Sequence, residues 1–245
     1  MIVLSVVPVG GGARRLVELG GRAAVTPENA RFFAAPVPVV LHITCATLFC
    51  VLGAFQFAPG FRRRSPGWHR RAGRLLAGCG LAAALTGLWM TLFYPRVAGD
   101  GDLLFIFRLL FGSLMAACVV LAVTAIRRRD VASHRAWMTR GYAIGMGAGT
   151  QALVHLLWIP FLGQPGVLAR ELLLGAGWVI NLAVVEWWMR ARGAPLQVGR
   201  ADAELPAKRG GELAGVGVAD ADGHLGDVEV ALQQQAPRLL HPHLP

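Results

Sequence analysis

The chain has 245 residues, of which 55% are hydrophobic and only 16% charged, and its mean hydropathy is positive. A soluble domain carries about 25% charged residues, so an ordinary water-soluble globule is excluded and the bilayer becomes the solvent to consider. The net charge of +10 does not point to nucleic acid either, because the arginines fall in short clusters between long uncharged runs instead of along one face.

Residues 1–36 form an N-terminal segment. Its first nine, MIVLSVVPV, are apolar but well short of the roughly 20 residues that a spanning helix needs. They lack the charged n-region and cleavage site of a signal peptide, and read as an interfacial anchor or as the end of a longer helix.

Five stretches have the length and composition of spans. Residues 37–58 follow Pro36, stop at Pro59 and contain His42. Residues 75–94 are uncharged and end in Trp89, Phe93 and Tyr94, an aromatic cluster suited to an interface. Residues 103–126 carry Arg108 close enough to their start to snorkel. Residues 141–162 hold Gly141, Gly145, Gly147 and Gly149, which permit close helix approach, together with Gln151 and His155. Residues 172–189 are the shortest and most polar, with Asn181 and with Glu186 placed to pair with Arg74 or Arg140 or to reach the interface.

From residue 191 to residue 245 the composition turns to Gly, Ala, Asp, Glu, Gln and Pro without periodicity, which predicts a disordered tail. Its histidines, His224, His241 and His243, lack the spacing of a metal site. Cys45, Cys50, Cys79 and Cys118 all lie inside apolar runs and read as small packing residues, and no metal site is expected.

The loop after the first span holds Arg62, Arg63, Arg64, Arg70, Arg71 and Arg74, and the loop after the third holds Arg127, Arg128, Arg129, Arg135 and Arg140. The opposite loops hold Arg96 and Arg170 beside Asp100, Asp102 and Glu171. The positive-inside rule then puts both basic loops and the tail in the cytoplasm of a cell-membrane protein. Both loops read Arg-Arg-Arg, four residues, His-Arg, at an offset of 65. The fold expected is therefore an all-α, multi-pass transmembrane bundle of two parallel-repeat hairpins plus a fifth helix.

This topology puts His42 and His155 at similar depths near the outer ends of their spans, and His69 and His134 together at the inner surface. Ionisable groups at such places are candidates for function. One reading is electron transfer through haem or quinone, with haem b at two bis-histidine sites, one per leaflet, formed by His42 with His155 and by His69 with His134. The alternatives are binding or transport of an anionic lipid or small acid by Arg70, Arg135 and Arg140, or a structural membrane subunit whose partner is the bilayer. Nothing in the chain has the order of a catalytic triad, a phosphate-binding glycine loop or a catalytic carboxylate pair.

Three runs, GAFQFAPGFRRRSPGWHRRAGRLL from Gly53, AIRRRDVASHRAWMTRGYAIG from Ala125 and VINLAVVEWW from Val179, resemble the predicted membrane protein family called domain of unknown function 2306. The resemblance implies a multi-pass membrane protein with no established activity. It maps that family's features to His42, Gln56, Phe57, His69, Arg70, Gly73, His134, Arg135, Trp137, Met138, Arg140, Asn181 and Glu186. Members often carry a further helix ahead of the span that holds His42.

Overall fold

The computed structural model describes residues 2–21, 23–58, 60, 64–97 and 99–204, with side chains as far as residue 191. Arg62 and Arg63 of the first basic triplet, and the expected tail from residue 205 onward, lie outside the described residues. Among the described residues there are eight helices and no strand: α1 (Ile2–Gly20), α2 (Ala30–Ala34), α3 (Pro36–Gln56), α4 (Pro66–Phe93), α5 (Asp102–Arg127), α6 (Val131–Gly145), α7 (Gly147–Leu162) and α8 (Val167–Glu204).

Prolines set two of the starts. Pro36 opens α3 and Pro66 opens α4, each where a missing N–H costs nothing because the first helical amides are unpaired anyway. At the start of α6 the Asp130 side chain accepts from the Ser133 N–H at 2.9 Å. The start of α5 is capped from another helix. Glu171 of α8, only 5% exposed, accepts from the Leu104 N–H at 3.1 Å, which places a carboxylate at the positive end of α5.

Helices α3, α4, α5 and the α8 stretch Val167–Ala191 are each long and apolar enough to span a bilayer, and α6 with α7, bent by 42° at their junction, makes a fifth if the pair crosses as one broken span. At most a third of the apolar window of each unbroken span is buried, and in α8 only 17% is. The remaining apolar surface, with Leu41, Leu85, Leu110, Leu121, Leu156 and Val184 exposed, therefore calls for lipid around it. Helix α4 begins at Pro66 and not near residue 75, so Arg70, Arg71 and Arg74 are helical. The starts of α4 and α6 are separated by the same 65 residues as the sequence repeat, which makes His69 and His134 each the fourth residue of its helix.

The bend lies at Met146, in the glycine-rich run. A broken helix frees backbone groups that lipid cannot satisfy. Asn181 of α8 meets this need: its amide donates to the Ala143 carbonyl at 3.0 Å and its oxygen accepts from the Thr150 hydroxyl at 2.7 Å. The glycines are where neighbours come close. A Cβ at Gly145 would meet the Phe49 ring, one at Gly147 the Trp178 indole, and one at Gly149 the Leu4 carbonyl of α1. Helix α1 thus packs on α3 and α7 through buried Ser5, whose hydroxyl lies 3.7 Å from the Met146 sulfur, and through Gly12 on Ile43. Residues 2–9 belong to this 19-residue helix.

The core joins Cys45, Phe49, Cys79, Phe111, Met115, Cys118 and Tyr142. Cys45, Cys79 and Cys118 are buried, and all four cysteines are free thiols, in keeping with a packing role. Residues 194–204, the described part of a second unit, are helical.

Candidate functional site

A cavity of about 470 Å³ opens in the half of the bundle away from the basic loops. That volume falls within the range of small-molecule sites. Its depth is apolar and aromatic: Phe49, Met115, Met146 and the stacked pair Phe111 and Trp178, whose ring centres are 5.0 Å apart. A few polar groups interrupt it, chiefly Ser5, His42, Cys50, Thr91 and Gln151. At its mouth stand Arg31, Tyr94, Arg96, Asp100 and Arg108.

The charges at this end are paired in a definite order. Asp100, its side chain 6% exposed, is bridged by Arg108 at 2.8 Å and by Arg170 at 2.6 Å. Burial pushes its carboxyl upward, but the hydrogen bonds and charges of Arg170 and Arg108 outweigh that and hold it below the usual carboxylate range. Arg96 pairs with Asp102 at 2.6 Å, and Arg14 and Arg15 both pair with Glu18.

Among the described residues at this end, Arg31 is the arginine without a carboxylate partner. One terminal nitrogen donates to the Pro95 carbonyl at 3.2 Å, while its Nε is buried with no hydrogen-bond partner among the described residues. Burial pushes its pKa below the usual guanidinium range, and the nearby Asp100 charge offsets part of that; the group still stays protonated. The side chain is held by contact as well. Arg31 and Arg15 lie 4.6 and 4.5 Å from the centre of the Phe32 ring, Phe32 packs edge-on against Tyr94, and the Tyr94 hydroxyl donates to the Ala35 carbonyl at 2.6 Å.

The histidines named by the sequence are distributed differently. His42 lines the cavity, its Nδ1 donating to the Ala83 carbonyl at 2.9 Å with Thr86 Oγ1 at 3.2 Å. His155 donates from Nδ1 to Gln151 O of its own helix and is not among the cavity-lining residues. The cavity therefore presents one imidazole. At the other end, His134 donates from Nδ1 to the Ala122 carbonyl at 2.9 Å, and His69 occupies the first turn of α4. Among the described residues no three metal-ligating side chains gather.

Of the basic-end arginines, Arg70 and Arg135 are exposed. Arg140 is engaged in a two-pronged pair with Glu186, at 2.5 and 3.1 Å, and stacks on Trp137. Of the two partners expected for Glu186, it is Arg140 that is bound. Gln56 buries its side-chain amide facing Gly73, with no hydrogen-bond partner among the described residues.

Sequence reasoning missed Arg31, Asp100 and Trp178 as site residues. Asp100 and Arg108 were legible as loop and span-end charges, but only folding shows that they occupy one another.

Helix lengths, the outward-facing apolar surface and the broken fourth span together define a multi-pass membrane protein. The chain belongs to the family described as Predicted membrane protein (DUF2306), whose pattern matches residues 39–189. The match runs from within α3 into α8 and includes His42, while Arg31 and Ser5 precede it. No curated protein and no solved structure matches the chain.

Proposed function

We propose that this protein binds, and carries across or within the membrane, an amphiphile bearing one anionic group, with that group at Arg31 and its apolar part in the cavity. The observation behind this is the partly buried Arg31, without a carboxylate partner among the described residues, at the rim of an apolar chamber whose other rim arginines already have carboxylates. A cation removed from water without a counter-charge is costly, and an anionic ligand would complete it. The apolar depth suits an acyl or similar chain. By the positive-inside rule the mouth faces away from the cytoplasm.

The haem reading has less behind it, because the cavity offers one imidazole and His155 bonds within its own helix. A neutral quinone would fit the apolar depth and leave Arg31 uncompensated. Arg70 and Arg135, exposed at the basic end, suit contact with anionic headgroups and need no cavity for it.

The test is binding of radiolabelled decanoate to the purified protein in nanodiscs, with protein-free nanodiscs as blank. A charge-assisted hydrogen bond contributes about 1.5–3 kcal/mol, so Arg31→Gln should weaken binding by roughly 10- to 100-fold. Equal binding by both proteins, or none above the blank, would remove the reading.

A further inference from the structure

The second group that the cavity offers a ligand is the free side of His42. Both partners of Nδ1 require it to be a donor: Ala83 O can only accept, and the Thr86 hydroxyl already gives its hydrogen to Ala82 O at 2.6 Å. The ring proton is therefore on Nδ1, and in the neutral imidazole Nε2 is a bare acceptor. No protein donor reaches it among the described residues. Its neighbours on the wall are in no position to help, since the Ser5 hydroxyl, the Cys50 thiol and the Thr91 hydroxyl donate to Met146, Gly145 and Gly87. The Gln151 amide gives one of its two hydrogens to Leu174 O and makes no bond to His42, and the Trp178 indole nitrogen lies against Gly147. His42 lines the chamber, and an acceptor there with no protein donor among the described residues is open to a donor on whatever enters the chamber.

Resting on the anionic-amphiphile reading above, we infer that the ligand carries a hydroxyl or other hydrogen-bond donor part-way along its apolar portion, received by His42 Nε2. The spacing follows from α3. Tyr94 fixes the mouth at Ala35, and His42 lies seven residues further along, about 10 Å at the helical rise. The ligand class is thus an acid with its donor part-way along the chain, on the order of 10 Å below the rim, such as a medium-chain hydroxy acid. An acid whose only other polar atoms are carbonyl oxygens meets an acceptor with an acceptor and is disfavoured.

Radiolabelled decanoate on wild-type protein in nanodiscs, displaced by unlabelled decanoate or by ω-hydroxydecanoate, tests this without any substitution. One hydrogen bond made in place of an unsatisfied acceptor gives the hydroxy acid about a tenfold advantage. In His42→Phe the ratio of the two affinities falls to about one; in Arg31→Gln both acids weaken together and the ratio is kept. If wild type binds both acids equally and Arg31→Gln weakens both, His42 is not the receiver and the Arg31 site stands alone. If neither acid binds above the blank, both the inference and the reading beneath it fall.

Discussion

Replacing Asn181 by leucine tests how the broken span is held. The side chain joins three helical pieces, donating to Ala143 O at the end of α6 and accepting from Thr150 in the first turn of α7. Leucine keeps the volume and removes both bonds. Interhelical hydrogen bonds in membrane proteins average about 0.6 kcal/mol and reach about 1.7. The Ala143 carbonyl, freed by the break and buried, adds a desolvation cost of about 1–3 kcal/mol when orphaned. The Thr150 hydroxyl can turn back onto its own helix, so its loss adds little. Asn181→Leu should therefore destabilise the bundle by about 2–3 kcal/mol, whereas Thr150→Val should cost about 0.6 kcal/mol. Unfolding by sodium dodecyl sulfate in mixed micelles, followed by circular dichroism, gives both values, and the double variant gives the coupling between the two side chains. An Asn181→Leu protein within about 0.5 kcal/mol of wild type would mean that the break is held by packing of Phe49 and Trp178 on Gly145 and Gly147, and that the amide contributes nothing net.

Two further outcomes concern the loops. Asp100 has its carboxyl held below the usual range in the folded protein, so its pairing stabilises the fold above the ordinary carboxylate pKa and is lost as pH falls through the lowered value. The unfolding temperature of detergent-solubilised protein should drop as pH is lowered below about 4, and Asp100→Asn should flatten that part of the profile while lowering the plateau; an unchanged profile refutes the assignment. Ala132→Cys and Gln164→Cys, both at exposed positions, should be labelled by an impermeant maleimide from opposite faces of the membrane, Ala132 from the cytoplasmic one. Labelling of both from one side would contradict the five-span topology.

The spans were legible because hydrocarbon thickness imposes a length and a composition that few other structures share. Hydropathy reports only the slab, however, not the helix. Helix α4 starts at Pro66, ahead of the expected residue 75, because a helix can continue past the apolar zone with Arg70, Arg71 and Arg74 directed to the polar surface. The glycine run of the fourth span correctly announced close packing. It did not announce a bend, since the bend is made tolerable by Asn181, 35 residues beyond Met146 on another helix. Residues 2–9 raised a question of length alone, and their continuation through three consecutive glycines to Gly20 depends on contacts with Ile43 and Gly149 that no local pattern encodes.

The site was less legible than the fold for a reason of charge. Counting arginines draws attention to the basic-loop end, where Arg70 and Arg135 are exposed and solvent or headgroups compensate each of them at little cost. At the other end the arginines are fewer and mostly paired: Arg108 and Arg170 share Asp100, Arg96 has Asp102, and Arg14 and Arg15 share Glu18. What distinguishes Arg31 is the absence of such a partner among the described residues, and a missing partner has no signature in sequence. It becomes visible only when every nearby carboxylate has been assigned. Because Coulomb interactions strengthen as water is excluded, one partly buried guanidinium without a carboxylate of its own among the described residues exerts more pull on an anion than an exposed one. Arg31 also keeps that position by means unrelated to charge, gripped through Phe32, Tyr94 and the Pro95 carbonyl. A cation fixed in place before its counter-ion arrives loses little freedom on binding, which is the arrangement that a ligand site requires and a topology signal does not.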